Sequence, residues 1–258
     1  MIHFGNRIRN RILKIIGLVL PVYPSADYWF KKRINQINPS SKYSALFHQE
    51  TMGCLKWIEY STIYDELFQN YLHRENLRIL EIGVLEGGSQ SILRKYFHSS
   101  SSIFGVDINP NCLKLDTGTK IRIGDATEKK FLSKVTSEMG GIDVVIDDGS
   151  HKSLHQKKSF EVLFPLLSDG GLYIVEDLEH SYLLESKGLP FLPNTFWNKS
   201  KRTTELLNNE FRRYKKNFTF KIDPLELFSV KFYPQIIAFS KGKRFTPRIV
   251  GNDNYIPH

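Results

Sequence analysis

Short apolar runs alternate along most of the chain with segments whose apolar residues recur at helical spacing. The runs that predict β-strands are residues 77–82, 102–106, 120–123, 142–146 and 171–175. The segments between them that predict helices are residues 89–96, 131–139 and 154–167. Strands that alternate with helices of this length indicate parallel βαβ units, with helices on both faces of one sheet.

The pattern changes on either side of this alternating region. Residues 43–71 place apolar and aromatic side chains at roughly helical spacing and predict one or two helices that lead into the sheet. Residues 225–232 and 235–240 are two apolar stretches close enough to pair as an antiparallel hairpin. We therefore predict an α/β fold, with a Rossmann-like parallel sheet and a C-terminal antiparallel hairpin.

The chain divides into an extension and one large domain. Its 258 residues could form one or two domains, but nothing in the middle resembles a linker. We assign residues 1–40 to a basic and apolar N-terminal extension and residues 41–258 to the domain. Within the extension, the apolar segment 12–21 is interrupted by Lys14 and is well short of the roughly 20 residues that span a bilayer.

The surroundings of this apolar segment leave three interpretations open. Arginines precede it and small residues follow it, as in a secretory signal, but a basic amphipathic helix on a membrane or one packed on the domain has the same residues. The chain has two cysteines, which fits a reducing compartment. We expect a cytoplasmic protein, with peripheral association at the inner face of the membrane as the alternative to simple packing.

The chain is basic, with a formal net charge of +9 and a pI near 9.4. This charge is compatible with nucleic acid, a membrane surface or a phosphorylated acceptor as a partner, and equally with solvated basic faces. The basic residues lack the interleaved aromatic side chains expected of a single-strand platform, which argues against nucleic acid. A homo-oligomer is compatible with everything in the sequence.

A glycine-rich turn follows the first predicted strand and precedes a helix N-terminus. Its candidate ligand-binding residues are Glu81, Gly83, Gly87, Gly88 and Ser89. The spacing is not that of a dinucleotide fingerprint, and an acidic residue within the turn would repel a pyrophosphate. The carboxylate of Glu81 instead suits a cationic or polyhydroxyl ligand.

The next two strands also end at acidic residues. Asp107 follows the second strand, where an acidic side chain accepts ribose hydroxyls in nucleotide-binding sheets, and Asp125 follows the third. Either residue taken alone could instead solvate a loop or cap a helix. Because three acidic strand ends occur in succession, we expect ligand binding, with Asp125 beside an adenine.

Two polar runs follow the fourth and fifth strands. The first contains Asp147, Asp148 and His151, and the second contains Glu176 and Asp177. Hard carboxylate oxygens suit Mg²⁺, and an imidazole can act as a base at neutral pH. Each run alone could be an ordinary turn or helix start. Together at neighbouring strand ends they predict a metal site with a base beside it.

The order of these features resembles the class I S-adenosylmethionine-dependent methyltransferases over residues 77–182. The resemblance implies that Gly83, Gly87 and Gly88 cradle the methionine part of S-adenosylmethionine, that Asp107 holds the ribose and that Asp125 faces the adenine edge. We assign Asp147, like Glu81 and Ser89, to the cofactor side of the site.

A longer pattern is more specific. Residues 146–151, 163–165, 170–173, 176–177 and 181–182 resemble the sugar O-methyltransferases of the macrocin and mycinamicin type. This similarity implies an Mg²⁺ ion held by Asp148, Glu176 and Asp177, with His151 as general base. The implied activity is methyl transfer from S-adenosylmethionine to a sugar hydroxyl of a glycoside, polysaccharide or glycolipid.

The chain departs from that family before the sheet and late in the chain. Residues 57–64 lack the histidine-containing stretch of the family, and residues 186–213, which we expect to fold over the acceptor, show little that can be matched. The acceptor is therefore not inherited with the chemistry. Methylation of RNA or another small molecule, and cofactor binding without catalysis, are the alternative functions.

Overall fold

Strands and helices alternate in the computed structural model, which describes residues 40–182, 194–211 and 220–244. The helices are α1 (Lys42–Gln49), α2 (Tyr60–Phe68), α3 (Gly88–Tyr96), α4 (Lys129–Met139), α5 (Ser153–Leu163) and α6 (Phe196–Thr203). The strands are β1 (Arg78–Ile82), β2 (Ser102–Asp107), β3 (Lys120–Ile123), β4 (Ile142–Asp147), β5 (Leu167–Val175), β6 (Leu227–Tyr233) and β7 (Ile236–Lys241). Short 3₁₀ helices cover Pro110–Lys114, Phe164–Leu166, Leu178–Tyr182, Thr204–Phe211 and Pro224–Glu226.

The strands form one seven-stranded sheet in the order β3-β2-β1-β4-β5-β7-β6. Strands β1 to β5 pair in parallel, whereas β7 runs antiparallel to both β5 and β6. This arrangement confirms the predicted parallel sheet with a C-terminal antiparallel hairpin. Because β1 and β4 are neighbours and β5 follows β4, their carboxyl ends lie side by side at one edge of the sheet.

Two predicted boundaries were wrong. The helix predicted at residues 154–167 ends at Leu163, and β5 already begins at Leu167. Pro165 lies between them in a 3₁₀ turn, because a proline cannot donate the backbone hydrogen bond that would continue an α-helix. The apolar pattern of residues 43–71 corresponds to two helices, α1 and α2, separated by the irregular segment 50–59.

Apolar side chains from both faces of the sheet form the core. On one face Phe160 of α5 packs among Tyr173, Phe196 and Phe239. On the other face the ring of Tyr64 in α2 lies between the rings of two neighbours, Tyr43 and Phe68, with centroid distances of 4.7 and 4.9 Å. This aromatic stack fixes α2 against the sheet, near the carboxyl ends of β4 and β5.

Some of the sequence predictions lie outside the described residues. The N-terminal extension and any membrane contact made by residues 1–24 are among them, as are residues 186–193, 212 and 213 of the segment expected to fold over the acceptor. Residues 194–211 are described, and they pack on the sheet through the buried side chains of Phe196 and Leu206. Among the described helices, none has the length and apolar character needed to cross a membrane.

Candidate active site

The glycine-rich turn lies between β1 and α3 and has a backbone that only glycine adopts easily. Gly83 and Gly87 have φ angles of 93° and 85°, in the left-handed region. A Cβ atom on Gly83 would overlap the carbonyl oxygen of Asp148, and one on Gly88 would overlap the backbone of Gly53. The turn is therefore enclosed on one side by the loop after β4 and on the other by the segment that precedes α2.

Glu81, the next-to-last residue of β1, is a fully buried carboxylic acid. Its oxygens accept hydrogen bonds from the Ser89 hydroxyl and the Gln90 side-chain amide, both in α3. Burial raises the pKa of Glu81 to about 7, although nearby Lys56 and the Ser89 hydrogen bond act in the opposite direction. A cationic ligand would stabilise the ionised form, so Glu81 suits the ammonium group of an amino acid.

Asp107, the last residue of β2, ties the glycine-rich turn to its own strand. One carboxylate oxygen accepts from the backbone N–H groups of Val84 (2.8 Å) and Leu85 (3.2 Å), and the other accepts from that of Asn109 (2.8 Å). Burial favours a higher pKa, but these three bonds outweigh it and lower the pKa of Asp107. The side chain is thus an ionised acceptor beside the turn.

The remaining two predicted cofactor residues, Asp125 and Asp147, bond to groups outside the glycine-rich turn. Asp125 is exposed after β3, and it accepts a hydrogen bond from the backbone N–H of Thr127 (2.7 Å). Asp147 is buried at the end of β4 and accepts from the hydroxyls of Ser159 (2.6 Å) and Tyr173 (3.1 Å), on the α5 side of the sheet. Their roles in cofactor binding stay predictions.

Asp148, His151 and Asp177 meet at the carboxyl ends of β4 and β5. Each offers one potential ligand atom, and these atoms all lie within 4.8 Å of one another. The His151 Nε2 atom is 3.7 Å from Asp177 Oδ2, whereas its Nδ1 atom is buried and has no hydrogen-bond partner among the described residues. The ring of His180 lies 4.7 Å from that of His151. Two carboxylates and an imidazole at this spacing suit a divalent cation or a proton transfer.

Glu176, the third predicted metal ligand, is fully buried and its carboxylate is held by two neighbours from outside the sheet. The Tyr64 hydroxyl donates to Oε1, and the Lys56 ammonium donates to Oε2 at 2.8 Å. The same ammonium forms a close ion pair with Asp148. Burial, together with the negative charge of Asp148, raises the pKa of Glu176 well above its ordinary value.

Asp177 is held by a tyrosine that sequence reasoning did not assign to the site. The Tyr60 hydroxyl donates to Asp177 Oδ1 (2.7 Å), and the backbone N–H of Asp177 donates back to the same hydroxyl oxygen (3.1 Å). Tyr60 and Tyr64 are four residues apart in α2 and therefore project from one face of the helix. The spacing of these two tyrosines was the sequence signal that could have placed them together at the site. Lys56 stands in an irregular segment, and no pattern in the sequence marks it.

The two ends of the site are continuous. The backbone N–H of Asp148 donates to the carbonyl of Ile82 (2.9 Å), and that of Glu176 donates to the carbonyl of Asp147 (3.1 Å). The glycine-rich turn after β1 thus lies directly against the acidic loops after β4 and β5. A ligand in the turn and a metal ion among the carboxylates would be neighbours.

Comparison with known proteins identifies the architecture. No family model matches the chain. A solved structure of the MycE methyltransferase from the mycinamycin biosynthetic pathway, in complex with Mg and SAH, superimposes with a TM-score of 0.68 at 26% identity, covering 81% of this chain and 55% of that one. The chain has the class I methyltransferase fold. A second MycE structure, which also contains mycinamycin VI, gives a TM-score of 0.67 at 26% identity, covering 79% of this chain and 53% of that one.

Curated proteins with similar sequences confirm the resemblance inferred from the sequence. The chain is 33% identical over 148 residues to the mycinamicin VI 2''-O-methyltransferase of Micromonospora griseorubida, covering 55% of this chain and 36% of the relative. It is 35% identical over 137 residues to the demethylmacrocin O-methyltransferase of Streptomyces fradiae, covering 50% and 34% respectively. The chain therefore spans about a third of the length of these two relatives.

Proposed function

We propose that the protein is a Mg²⁺-dependent O-methyltransferase that transfers a methyl group from S-adenosylmethionine to a sugar hydroxyl of a glycoside, polysaccharide or glycolipid. The observation that carries this proposal is the direct contact between Gly83 and Asp148. It joins a turn suited to the cofactor to a group of side chains suited to a metal ion and a base. The similarity to the O-methyltransferases of mycinamicin VI and demethylmacrocin supports the same function.

The residues present fit both implied groups. For the cofactor, the fit rests on the buried carboxylate of Glu81 and on the glycine-rich turn held by Asp107. For Mg²⁺, it rests on the carboxylate oxygens of Asp148 and Asp177, with the buried carboxylate of Glu176 beside them. When bound, S-adenosylmethionine supplies the electrophilic methyl group, and Mg²⁺ would make a coordinated hydroxyl more acidic.

The residues of the chain would then act on the acceptor by positioning and by proton transfer. His151 would take the proton of the acceptor hydroxyl, since its ring stands beside the acidic group and imidazole is an effective base at neutral pH. Tyr60 would keep Asp177 in place, and Tyr64 would do the same for Glu176. Holding the hydroxyl in line with the methyl group contributes most of the catalysis in this scheme.

Calorimetric titration with S-adenosylmethionine, with and without Mg²⁺ and with NAD as the control ligand, tests the cofactor. Incubation with glycosides that carry free vicinal hydroxyls, followed by mass spectrometry, then tests the transfer. We expect binding of S-adenosylmethionine and a product one methyl group heavier that is lost when Mg²⁺ is chelated. A protein that binds NAD in preference, or that methylates RNA and no glycoside, would contradict the proposal.

A further inference from the structure

Lys56 is a buried cation among the carboxylates. Its side chain is 5% exposed, and its ammonium pairs with both Asp148 and Glu176. These two acids are 92 and 120 residues away along the chain, so the lysine is brought to them only by folding. Lys56 belongs to the segment between α1 and α2, which also contacts the glycine-rich turn through a hydrogen bond from Gly88 N–H to the Gly53 carbonyl (3.2 Å).

The charges at this place are complementary. Asp148, Glu176 and Asp177 contribute three negative charges when ionised, and a buried carboxylate with no cation nearby is costly. The Lys56 ammonium lies against two of these acids, Asp148 and Glu176, and pairs with both. The ammonium therefore neutralises part of the negative charge that would otherwise attract a divalent ion.

The lysine and a divalent ion would share oxygens. Asp148 pairs with Lys56 and also belongs to the group of potential ligands with His151 and Asp177. Glu176 accepts from Lys56 on one oxygen and from Tyr64 on the other, so both of its oxygens have donors within the protein. Two cations at neighbouring positions also repel each other.

Given the proposed metal dependence, on which this inference rests, we propose that Lys56 is an intrinsic competitor of the metal ion. Its ammonium keeps Asp148 and Glu176 together when no metal is bound and lowers the affinity of the site for a divalent cation. Lys56 is thus a positioning residue that sets how tightly the metal is held, and its removal allows Glu176 to join the ligands.

The test is calorimetric titration of Mg²⁺ into the Lys56→Met variant, in parallel with the unaltered protein. We expect Mg²⁺ to bind the variant about tenfold more tightly or better, because a repelling charge is lost and carboxylate oxygens are released. The variant should also melt at a lower temperature than the unaltered protein when Mg²⁺ is absent. Addition of Mg²⁺ should raise its melting temperature by more. Lys56→Arg, which keeps the charge, should stay close to the unaltered protein in both measurements.

A second pair of variants covers the case in which Lys56→Met does not fold. The double variant Lys56→Met/Glu176→Gln removes the negative charge of Glu176 together with the positive charge of Lys56. The balance of charge at the site is therefore restored. We expect this double variant to bind Mg²⁺ about tenfold more tightly than Glu176→Gln alone, which retains the lysine. Each pair compares a protein that has Lys56 with one that lacks it. If Mg²⁺ binds the lysine-free member equally or more weakly, in whichever pair folds, the inference is overturned.

The outcomes separate the inference from the proposed function. If the unaltered protein binds Mg²⁺ and the lysine-free variants bind it no more tightly, only the role of Lys56 falls. If no variant binds Mg²⁺ while all still bind S-adenosylmethionine, the metal dependence of the proposed function falls and the inference falls with it. Titration of S-adenosylmethionine into each variant shows that the fold is intact.

Discussion

His151 and Asp177 face each other across the site, and both have a left-handed backbone with a φ of 54°. Their side chains approach to 3.7 Å between Nε2 and Oδ2. A residue other than glycine rarely adopts this conformation, and it costs about 1–3 kcal/mol when it does. Such strain persists only where the surrounding structure enforces it. The pairing of two such residues marks the carboxyl ends of β4 and β5 as a functional region.

Replacing His151 with alanine tests its role as the base. We expect His151→Ala to lower the turnover rate by about a hundredfold to ten-thousandfold, because the acceptor hydroxyl loses its proton acceptor, while S-adenosylmethionine still binds. His155 is a matched control, since its ring nitrogen pairs with the Ser150 hydroxyl (2.9 Å) rather than with Asp177. An equal loss of turnover in His155→Ala would show that the two histidines have been assigned wrongly.

Tyr60→Phe tests the support of Asp177. The variant removes a hydrogen bond that Tyr60 donates and one that it accepts, so we expect a loss of about 1–3 kcal/mol in the free energy of unfolding. Metal affinity should also fall by about 10- to 100-fold, since Asp177 loses its orientation. Urea unfolding and Mg²⁺ calorimetry measure the two effects.

Tyr71→Phe provides the control for that experiment. The Tyr71 hydroxyl donates to the carbonyl of Gly170 (2.6 Å), away from the acidic group, and the side chain is also buried. We expect a comparable loss of stability with unchanged affinity for Mg²⁺. If both tyrosine variants weaken metal binding equally, the effect comes from general destabilisation.

Glu81 predicts a pH dependence of cofactor binding. Its pKa is about 7 in the folded protein, against an ordinary value of 4.5. Between these values the folded protein holds a proton that the unfolded chain has released, so the contribution of Glu81 to stability falls as the pH rises through this window. A cationic ligand favours the ionised form, and we therefore expect S-adenosylmethionine to bind more tightly as the pH rises from about 6 to about 8.

Two variants isolate this dependence by calorimetry across the same pH range. Glu81→Gln should bind the cofactor more weakly and lose most of the dependence on pH. Asp107→Asn should weaken binding to a similar extent at every pH and keep the dependence, since the pKa of Asp107 is lowered and its carboxylate is ionised throughout. If Glu81→Gln keeps the dependence of binding on pH, another group is responsible for that dependence.

Gly83→Ala tests the contact between the two ends of the site. The added methyl group meets the Asp148 carbonyl and also strains a backbone with a φ of 93°. We expect weaker binding of both S-adenosylmethionine and Mg²⁺, together with a loss of stability. Gly140→Ala is the control, because Gly140 has a φ of 74° but no atom of the described part of the chain lies near the position of its Cβ. It should cost about 1–2 kcal/mol of strain and leave both ligands unaffected.

Sequence periodicity was sufficient to predict the order of strands and helices and the end of the sheet where the acidic residues lie. Parallel strands bring their carboxyl ends to one edge whatever the details of packing, so Asp107, Asp148 and Glu176 could be expected at that edge. The end of α5 was misjudged because the apolar pattern continues past Leu163 into β5. Pro165 in that stretch was the stronger signal, because it marks the end of the helix.

What the sequence could not determine is which side chains meet at that edge. Asp147 and Asp148 are adjacent carboxylates, but Asp147 turns towards Ser159 and Tyr173 while Asp148 pairs with Lys56, because successive residues of an extended chain point in opposite directions. Lys56 and Tyr60 reach their partners only when the segment before the sheet packs against it. Local pattern predicts that a side chain is buried, whereas its partner follows from contacts between residues distant in the chain.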